Sequence, residues 1–299
     1  MTPFSLRAEE MGLDIQNAYK GMYSYRDRFV EVVYRQMFTL SSPGNPTVKE
    51  NETDDIELPY LAVFTKHSDQ TNYIYAGYVS NLYKFVGNDV LCIPILESIA
   101  STGNAVLREN SIFTMDYAKL RHEIIIQSSV NTPIAGDVLP VIIVSNSYNG
   151  TRRASLAFGL ATAGNRMDYV TFAFQLGEIS MIHIESSDTS MTTAVSDYVE
   201  TFRSSIDEMI NQSFQKQLTE EDMFATLDLI EGVGKRRREI ISGDLPETVT
   251  AWGMFLAIVR YSSFESNLNA KKMLENIAES VLVIPTRMYD VLEKLQNQQ

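Results

Sequence analysis

The chain has 299 residues, of which 44% are hydrophobic and 21% are charged, and its formal net charge at pH 7 is -13. This composition excludes a disordered chain, because it supplies enough apolar surface for one large core or two smaller ones. The single cysteine, Cys92, excludes an intramolecular disulfide and a cysteine-rich zinc site, and its apolar surroundings predict a buried thiol.

The sequence predicts a protein of the cytoplasm. Its first residues, MTPFSLRAEEMGLDIQ, have neither the basic start nor the unbroken apolar stretch of a signal peptide. No segment reaches the ~18 apolar residues of a membrane-spanning helix. His67, His122 and His183 never occur at metal-ligand spacing. We therefore expect no membrane partner, no metal and no cofactor.

The N-terminal part is predicted to contain strands, a loop and one helix. Residues 41–55 are rich in proline, glycine and charge, which is typical of an exposed loop. The stretches 61–67 and 73–87 have the β-branched and aromatic content of strands, with Asn72 and Gly77 at turn or bulge positions. A helix is predicted near residues 90–100, with Pro94 in its first turn.

The middle of the chain is predicted to form an antiparallel sheet. Short apolar runs alternate there with Gly, Pro, Asn and Asp, which favour turns. These runs are LRHEIIIQSSV (120–130), DVLPVIIVSNS (137–147), RASLAFGLAT (153–162), DYVTFAFQLG (168–177) and ISMIHIES (179–186).

The C-terminal third is predicted to be helical. From about residue 190, apolar side chains recur every three or four positions, as in a helix buried on one face. They are Tyr198, Phe202, Ile206, Met209, Ile210 and Phe214. The fold class is therefore α+β, with a central antiparallel sheet and a helical C-terminal region. The expected divisions are an N-terminal α/β segment (1–84), the sheet core (85–189) and the helical region (190–299).

No motif predicts an enzyme. None of the serines lies in a G-x-S-x-G turn, and no histidine is placed by the sequence to serve as a base. Acidic pairs such as Glu220–Glu221 and Asp54–Asp55 lie in polar stretches, where solvated charge is typical. GNRMDYV and GLATAG lack the glycine spacing of a phosphate-binding loop.

Charge is segregated along the sequence. Between Glu178 and Glu231 there are twelve acidic residues against two basic ones, Arg203 and Lys216. Four cations then follow one another at 235–238, namely Lys235, Arg236, Arg237 and Arg238. A uniformly negative surface would repel the phosphates of a nucleic acid. Because the charges are segregated, a local basic surface can still bind a polyanion despite the net negative charge.

The stretch LDLIEGVGKRRREIISG (227–243) predicts a helix-hairpin-helix and resembles the hairpins of several DNA-repair proteins. A first helix would end at Ile230, Gly232 and Gly234 would form the turn, and the second helix would begin with the cations. Glycines let backbone N–H groups approach a phosphate. Cations at a helix N-terminus oppose the helix dipole, so stability alone does not favour them. The alternative is a glycine cap with the arginines paired to the preceding acidic helices.

A second basic stretch, residues 146–167, contains the hairpin signal Asn149–Gly150. It predicts pairing of Ser145–Tyr148 with Thr151–Phe158, which would place Arg152 and Arg153 on opposite faces beside Tyr148. Arginine and an exposed ring suit single-stranded nucleic acid, because the cation binds phosphate and the ring stacks on an unpaired base. A sheet edge protected by charge is the alternative.

Two segments resemble the phage- and plasmid-encoded domain of unknown function 932 family. VIIVSNSYNGTRRASLAFGLATAGNRM (141–167) resembles its N-S-x-D-G-S strand-turn-strand, and TAWGMFLAIVRYSSFES (250–266) resembles its T-x-W-x-x-Y-N-A-V-T-E-Y helix. The resemblance covers about residues 85–266. It departs from the family at Asn149, which replaces Asp, at Arg260, which replaces Glu, and before Asn165, where the cysteine is missing. The family name supplies no activity.

The chain is also similar to single-stranded-DNA-binding RNA polymerase cofactors of phages that carry a virion RNA polymerase. Together these features predict a phage protein that binds single-stranded DNA and recruits a phage RNA polymerase to opened promoters. The alternative is an acidic adaptor that binds a host or phage protein without binding DNA. Homo-oligomers and base preference stay open. The predicted DNA contacts are Tyr148, Arg152, Arg153, Arg166, Gly232, Gly234, Lys235, Arg236, Arg237 and Arg238.

Overall fold

The computed structural model describes residues 23–26, 29–38, 57–80, 83, 86–114, 116–163, 169–176, 178–180 and 188–296. These residues form an α+β fold, as predicted. The strands are β1 (Tyr23–Arg26), β2 (Val30–Phe38), β3 (Glu57–His67), β4 (Ile74–Ser80), β5 (Val106–Phe113), β6 (Lys119–Ile126), β7 (Val130–Thr132), β8 (Gly136–Ser147), β9 (Ser155–Ala163), β10 (Tyr169–Ala173) and β11 (Ile179–Ser180). The helices are α1 (Asn88–Ser101), α2 (Asp188–Gln215), α3 (Glu220–Val233), α4 (Lys235–Gly243), α5 (Ala251–Ser263), α6 (Leu268–Val281) and α7 (Thr286–Gln296).

The chain divides into two compact units that interleave in sequence. The first contains the described residues of 1–90, 115–120 and 146–152. The second contains those of 91–114, 121–145 and 153–299. These boundaries differ from the three successive segments expected from the sequence. The predicted loop at 41–55 lies outside the described residues.

The first unit contains a four-stranded antiparallel sheet in the order β1-β2-β3-β4. Alternate residues of β3 are buried, among them Val63 and Thr65, so β3 has one covered face and one open face. Gly77 lies where the β3–β4 register shifts, and its φ of 126° is unfavourable for residues with a Cβ atom. Asn72 lies in the connection between β3 and β4, so the prediction that Asn72 and Gly77 occupy turn or bulge positions is confirmed.

The second unit is organised around a larger antiparallel sheet in the order β10-β9-β8-β6-β5, with β7 paired to β8 and β11 paired to β9. Strand β8 is buried along most of its length rather than on alternate residues, since both of its faces are covered. Gly159 of β9 is required for close strand packing, because a Cβ atom there would lie 1.8 Å from the Phe172 carbonyl oxygen.

Helices α2 and α5 pack aromatic side chains against this sheet. The Tyr198 ring of α2 lies 4.5 Å from Phe158, and the Phe255 ring of α5 lies 4.9 Å from Phe172, both measured between ring centroids. The predicted apolar stripe of α2 is buried as expected, except for Phe214, which is exposed near the end of the helix.

Local backbone geometry corrects two details of the sequence interpretation. Pro94 lies inside α1, because the helix begins at Asn88, two residues before the predicted start. The Asn149–Gly150 hairpin forms, with Ser145 paired to Ser155, but its connection is longer than predicted. Strand β9 therefore begins only at Ser155, and the residues before it belong to a loop.

A buried charge cluster joins the sheet of the second unit to α6. The guanidinium of Arg121 donates from Nη1 and Nη2 to the two carboxylate oxygens of Glu275, at 2.9 and 2.6 Å. Its Nε donates to Glu123 at 2.8 Å, and Lys271 Nζ lies 3.5 Å from the same carboxylate. Burial alone would raise the pKa of Glu123, but the charges of Arg121 and Lys271 outweigh it and lower this pKa to about 2. The Glu123 carboxylate is therefore charged at pH 7, and it lies between the side chains of Arg121 and Lys271.

Glu279, one turn after Glu275, predicts a pH dependence of stability. Burial raises the pKa of its carboxyl from 4.5 to about 7, although the backbone N–H groups of Gln175 and Leu176 donate to it at 2.7 and 3.2 Å. The folded state therefore holds an extra proton between these two pH values. We expect the free energy of unfolding to fall as the pH rises from about 4.5 to about 7.

Urea unfolding of the wild type and of Glu279→Gln across this range checks the prediction. The amide is uncharged at every pH, so the variant should lack this part of the pH dependence. An unchanged slope in the variant would mean that other groups cause it.

Candidate nucleic-acid interface

Tyr148 is not an exposed stacking ring, and this prediction is wrong. The residue is 1% exposed, within the first unit. Its hydroxyl accepts the backbone N–H of Asn88 at 3.2 Å, and its carbonyl accepts the Tyr34 hydroxyl at 3.1 Å. The ring is buried because it anchors the β8–β9 loop, so no base can reach it.

Arg152 and Arg153 of the same stretch lie outside strands. Arg152 is half-buried and its backbone N–H donates to Ser147 Oγ at 3.1 Å, while Arg153 is exposed. Both precede β9, so the expected alternation of two strand faces does not apply to them. Arg166, the other predicted phosphate contact here, lies outside the described residues.

The hairpin at 227–243 forms two helices, but its turn is shorter than predicted. Helix α3 continues to Val233, so Gly232 is helical and Gly234 alone separates α3 from α4. The Gly234 N–H donates to Ile230 O at 3.1 Å and is therefore not offered to a phosphate. The prediction that α4 begins with the four cations is confirmed.

Two of these four cations are neutralised, but only Arg238 pairs with the preceding acidic helix, as the capping alternative predicted. Arg237 donates to Glu265 Oε2 from Nε at 2.8 Å and from Nη2 at 2.5 Å. Arg238 pairs with Asp228 and Glu231 of α3. These carboxylates offset the unfavourable position of cations at a helix N-terminus. Exposed Lys235 and Arg236, by contrast, form no ion pair with a described residue.

A different surface carries the features expected of a single-strand contact. On the open face of the four-stranded sheet, the rings of Tyr60, Tyr75 and Tyr78 are 42%, 50% and 60% exposed. Strand register places Phe64 opposite Tyr75, and Tyr60 lies diagonally across from Tyr78. We call Tyr60, Phe64, Tyr75 and Tyr78 the aromatic face.

The rings of the aromatic face form two edge-to-face pairs. Tyr60 and Tyr78 are 5.5 Å apart between centroids with an interplanar angle of 79°, and Phe64 and Tyr75 are 5.7 Å apart with an angle of 65°. This packing orients the rings while leaving area open to solvent. The protein therefore presents pre-oriented aromatic surface.

Cations border the aromatic face on the same sheet. The Arg35 guanidinium carbon lies 5.3 Å from the centroid of Phe64. Lys66 lies 5.0 Å from the Tyr73 ring and 3.0 Å from a Glu31 carboxylate oxygen. Rings for bases and nearby cations for phosphates are the combination that binds single strands without sequence readout.

Sequence reasoning missed the aromatic face, although a signal was present. Tyr60, Phe64 and Lys66 occupy every second or fourth position of one strand, so they share a face. In the sequence, aromatic residues at these positions predict a strand whether its face is buried or open. Whether such a face is buried or open depends on what covers it, which the alternation alone does not reveal.

None of the helices in the described part of the chain combines the length and the apolar content needed to cross a bilayer. Within the same residues, no group of three or more His, Cys, Asp and Glu side chains is arranged to hold a metal ion.

No protein-family model, curated protein or solved structure significantly matches the chain. The resemblance to the domain of unknown function 932 family therefore stays a prediction from the two motifs.

Proposed function

We propose that this protein binds single-stranded DNA and that the aromatic face is the contact surface. The observation that carries the proposal is the concentration of three half-exposed tyrosine rings on adjacent strands β3 and β4. Base stacking on an aromatic side chain contributes about 1–3 kcal/mol per base. Stacking of two or three bases would thus contribute several kcal/mol to the binding free energy of single-stranded DNA.

The shape of the surface favours a single strand over a duplex. In a duplex the bases are stacked on one another, and their faces are closed to protein side chains. Because the bulge at Gly77 lies between Tyr75 and Tyr78, their partners on β3, Phe64 and Ala62, are only two residues apart, which is roughly 7 Å at the ~3.3 Å rise per strand residue. Separate rings at this spacing suit successive unpaired bases of an extended strand.

The proposed biological role is that of a phage transcription cofactor in the bacterial cytoplasm, which holds opened promoter DNA while a phage RNA polymerase is recruited. Its support is the resemblance to such cofactors and the exposed carboxylates of α2 and α3, which are Glu200, Asp207, Glu208, Glu220 and Glu221. Acidic helices repel DNA and attract a basic protein surface, and charge complementarity speeds such encounters. An adaptor that binds only protein would use the same helices.

Binding measurements with matched oligonucleotides test the proposed function. We expect tighter binding of oligo(dT) than of a duplex of equal length, because stacking needs unpaired bases. Affinity should fall with salt with a log–log slope of about -0.7 per bound phosphate. Fluorescence anisotropy of labelled strands at several salt concentrations measures both quantities.

Equal or tighter binding of the duplex would contradict stacking on the aromatic face. The adaptor function would be favoured if the wild-type protein bound neither oligo(dT) nor the duplex. It should then still retain polymerase subunits from infected cells after nuclease treatment.

A further inference from the structure

The most exposed aromatic ring of the described residues lies in the second unit, close in sequence to an exposed arginine. Phe264, at the C-terminus of α5, is 89% exposed, the highest value among the exposed large hydrophobic side chains of the described residues. Burial of such a ring would stabilise the fold, and this position lacks that contribution. Its own helix contributes exposed Arg260, one turn earlier.

The Arg237–Glu265 ion pair links the basic start of α4 to the residue that follows this ring. Glu265 directly follows Phe264, and Arg237 holds its carboxylate with two hydrogen bonds. The first turn of α4 is thereby fixed beside the α5–α6 turn. Lys235 and Arg236 belong to that first turn and are exposed.

We propose that Phe264, Arg260, Lys235 and Arg236 form a second contact for single-stranded DNA, which we call the Phe264 patch. Phe264 stacks on one unpaired base, and the three cations bind the phosphates beside it. The inference rests on the proposed function for the nature of the ligand, but it assigns a separate site on the second unit.

The charges of the patch favour a nucleic-acid ligand. Arg237 and Arg238 are occupied by carboxylates, whereas Lys235, Arg236 and Arg260 form no ion pair within the described part of the chain. The protein has a net charge of -13, yet these three cations, in the first turn of α4 and the last turn of α5, have no carboxylate partner among the described residues. Phosphate and an unpaired base match these two features together, since each base of a single strand has a phosphate beside it.

Two variants of the full chain test the patch, beside two matched controls, by anisotropy with labelled oligo(dT). Phe264→Ala should weaken binding roughly 5- to 150-fold, which corresponds to the stacking of one base. The double variant Lys235→Ala/Arg236→Ala should make the log–log salt slope shallower by about 0.7 for each phosphate that it no longer binds. Phe224→Ala is the matched control, because it removes another exposed phenylalanine, from α3.

Lys216→Ala is the control for charge, since Lys216 is exposed and hydrogen-bonds through its carbonyl to the opposite end of α5. Both controls should bind like the wild type. Photo-crosslinking of oligonucleotides that carry 5-iodouracil, followed by peptide mapping, gives an independent readout and should label Phe264.

The outcomes separate this inference from the proposed function. If aromatic-face variants bind weakly while the Phe264 and Lys235/Arg236 variants bind like the wild type, the Phe264 patch is wrong and the aromatic face stands. If the Phe264 patch variants bind weakly while the aromatic-face variants bind like the wild type, the result supports the patch and contradicts the aromatic face. Tighter binding of oligo(U) than of oligo(dT) would show that the ligand is RNA rather than DNA. Competition by an acidic polypeptide alone would show that the ligand is a protein. Either result overturns the inference.

Discussion

Replacing Tyr75 and Tyr78 together with alanine should weaken the binding of single-stranded DNA about 30-fold or more. Each ring is at least half exposed on the open face of the sheet, and the removal of one stacked base costs about 1–3 kcal/mol. Neither ring is buried, so the fold should persist. Anisotropy of labelled oligo(dT) measures the affinity, and circular dichroism checks the fold.

Two further variants make this test specific. Tyr78→Phe keeps the ring and should retain most of the affinity for single-stranded DNA. A large loss of affinity in this variant would mean that binding depends on the tyrosine hydroxyl rather than on stacking. Tyr289→Ala removes a tyrosine of α7 that is 42% exposed, as Tyr60 is, but lies in the other unit, and it should bind like the wild type. Wild-type affinity in the double alanine variant would rule out the aromatic face as the site.

Replacing Arg121 with methionine should lower the free energy of unfolding by about 3–5 kcal/mol. The substitution leaves the carboxylates of Glu123 and Glu275 buried with only Lys271 to neutralise them. Total stabilities of about 5–15 kcal/mol are usual, so the variant should be close to unfolding at moderate temperature. Urea unfolding followed by circular dichroism measures the change.

A double-mutant cycle separates the interaction from the desolvation of single charges. Arg121→Met/Glu275→Leu leaves the neutral Glu123–Lys271 pair and should be more stable than Arg121→Met alone. Lys294→Met, which removes a solvent-exposed ion pair with Asp197 at 3.7 Å, should change stability by under about 1 kcal/mol. Strictly additive costs at Arg121 and Glu275 would mean that their buried pairing contributes nothing.

Much of the fold could be predicted because it depends on local signals. The spacing of apolar residues in α2 identified a helix with one buried face, and its side chains from Tyr198 to Ile210 are buried. Asn149–Gly150 identified a hairpin, and Gly77 identified a bulge. Cys92 is buried in α1, as its apolar neighbours indicated. These features follow from backbone sterics and side-chain periodicity, which act over a few residues.

The interface was predicted less well, because exposure is not a local property. Tyr148 follows a hairpin signal and resembles a surface ring in sequence, yet Asn88 and Tyr34 enclose it from distant segments. Arg237 stands in an uninterrupted basic run, but its partner Glu265 is 28 residues further along the chain. Neither partner can be identified from spacing.

By itself, the sequence determined the α+β class, the helical C-terminal region and the start of α4 at the four cations. The tertiary structure alone decided which rings and charges are available to a ligand. It buried Tyr148, neutralised Arg237 and Arg238, and left the tyrosines of β3 and β4 and the ring of Phe264 exposed. The physical reason is that periodicity and turn propensity arise from neighbouring residues, whereas burial and charge neutralisation require groups that only folding brings within a few ångströms.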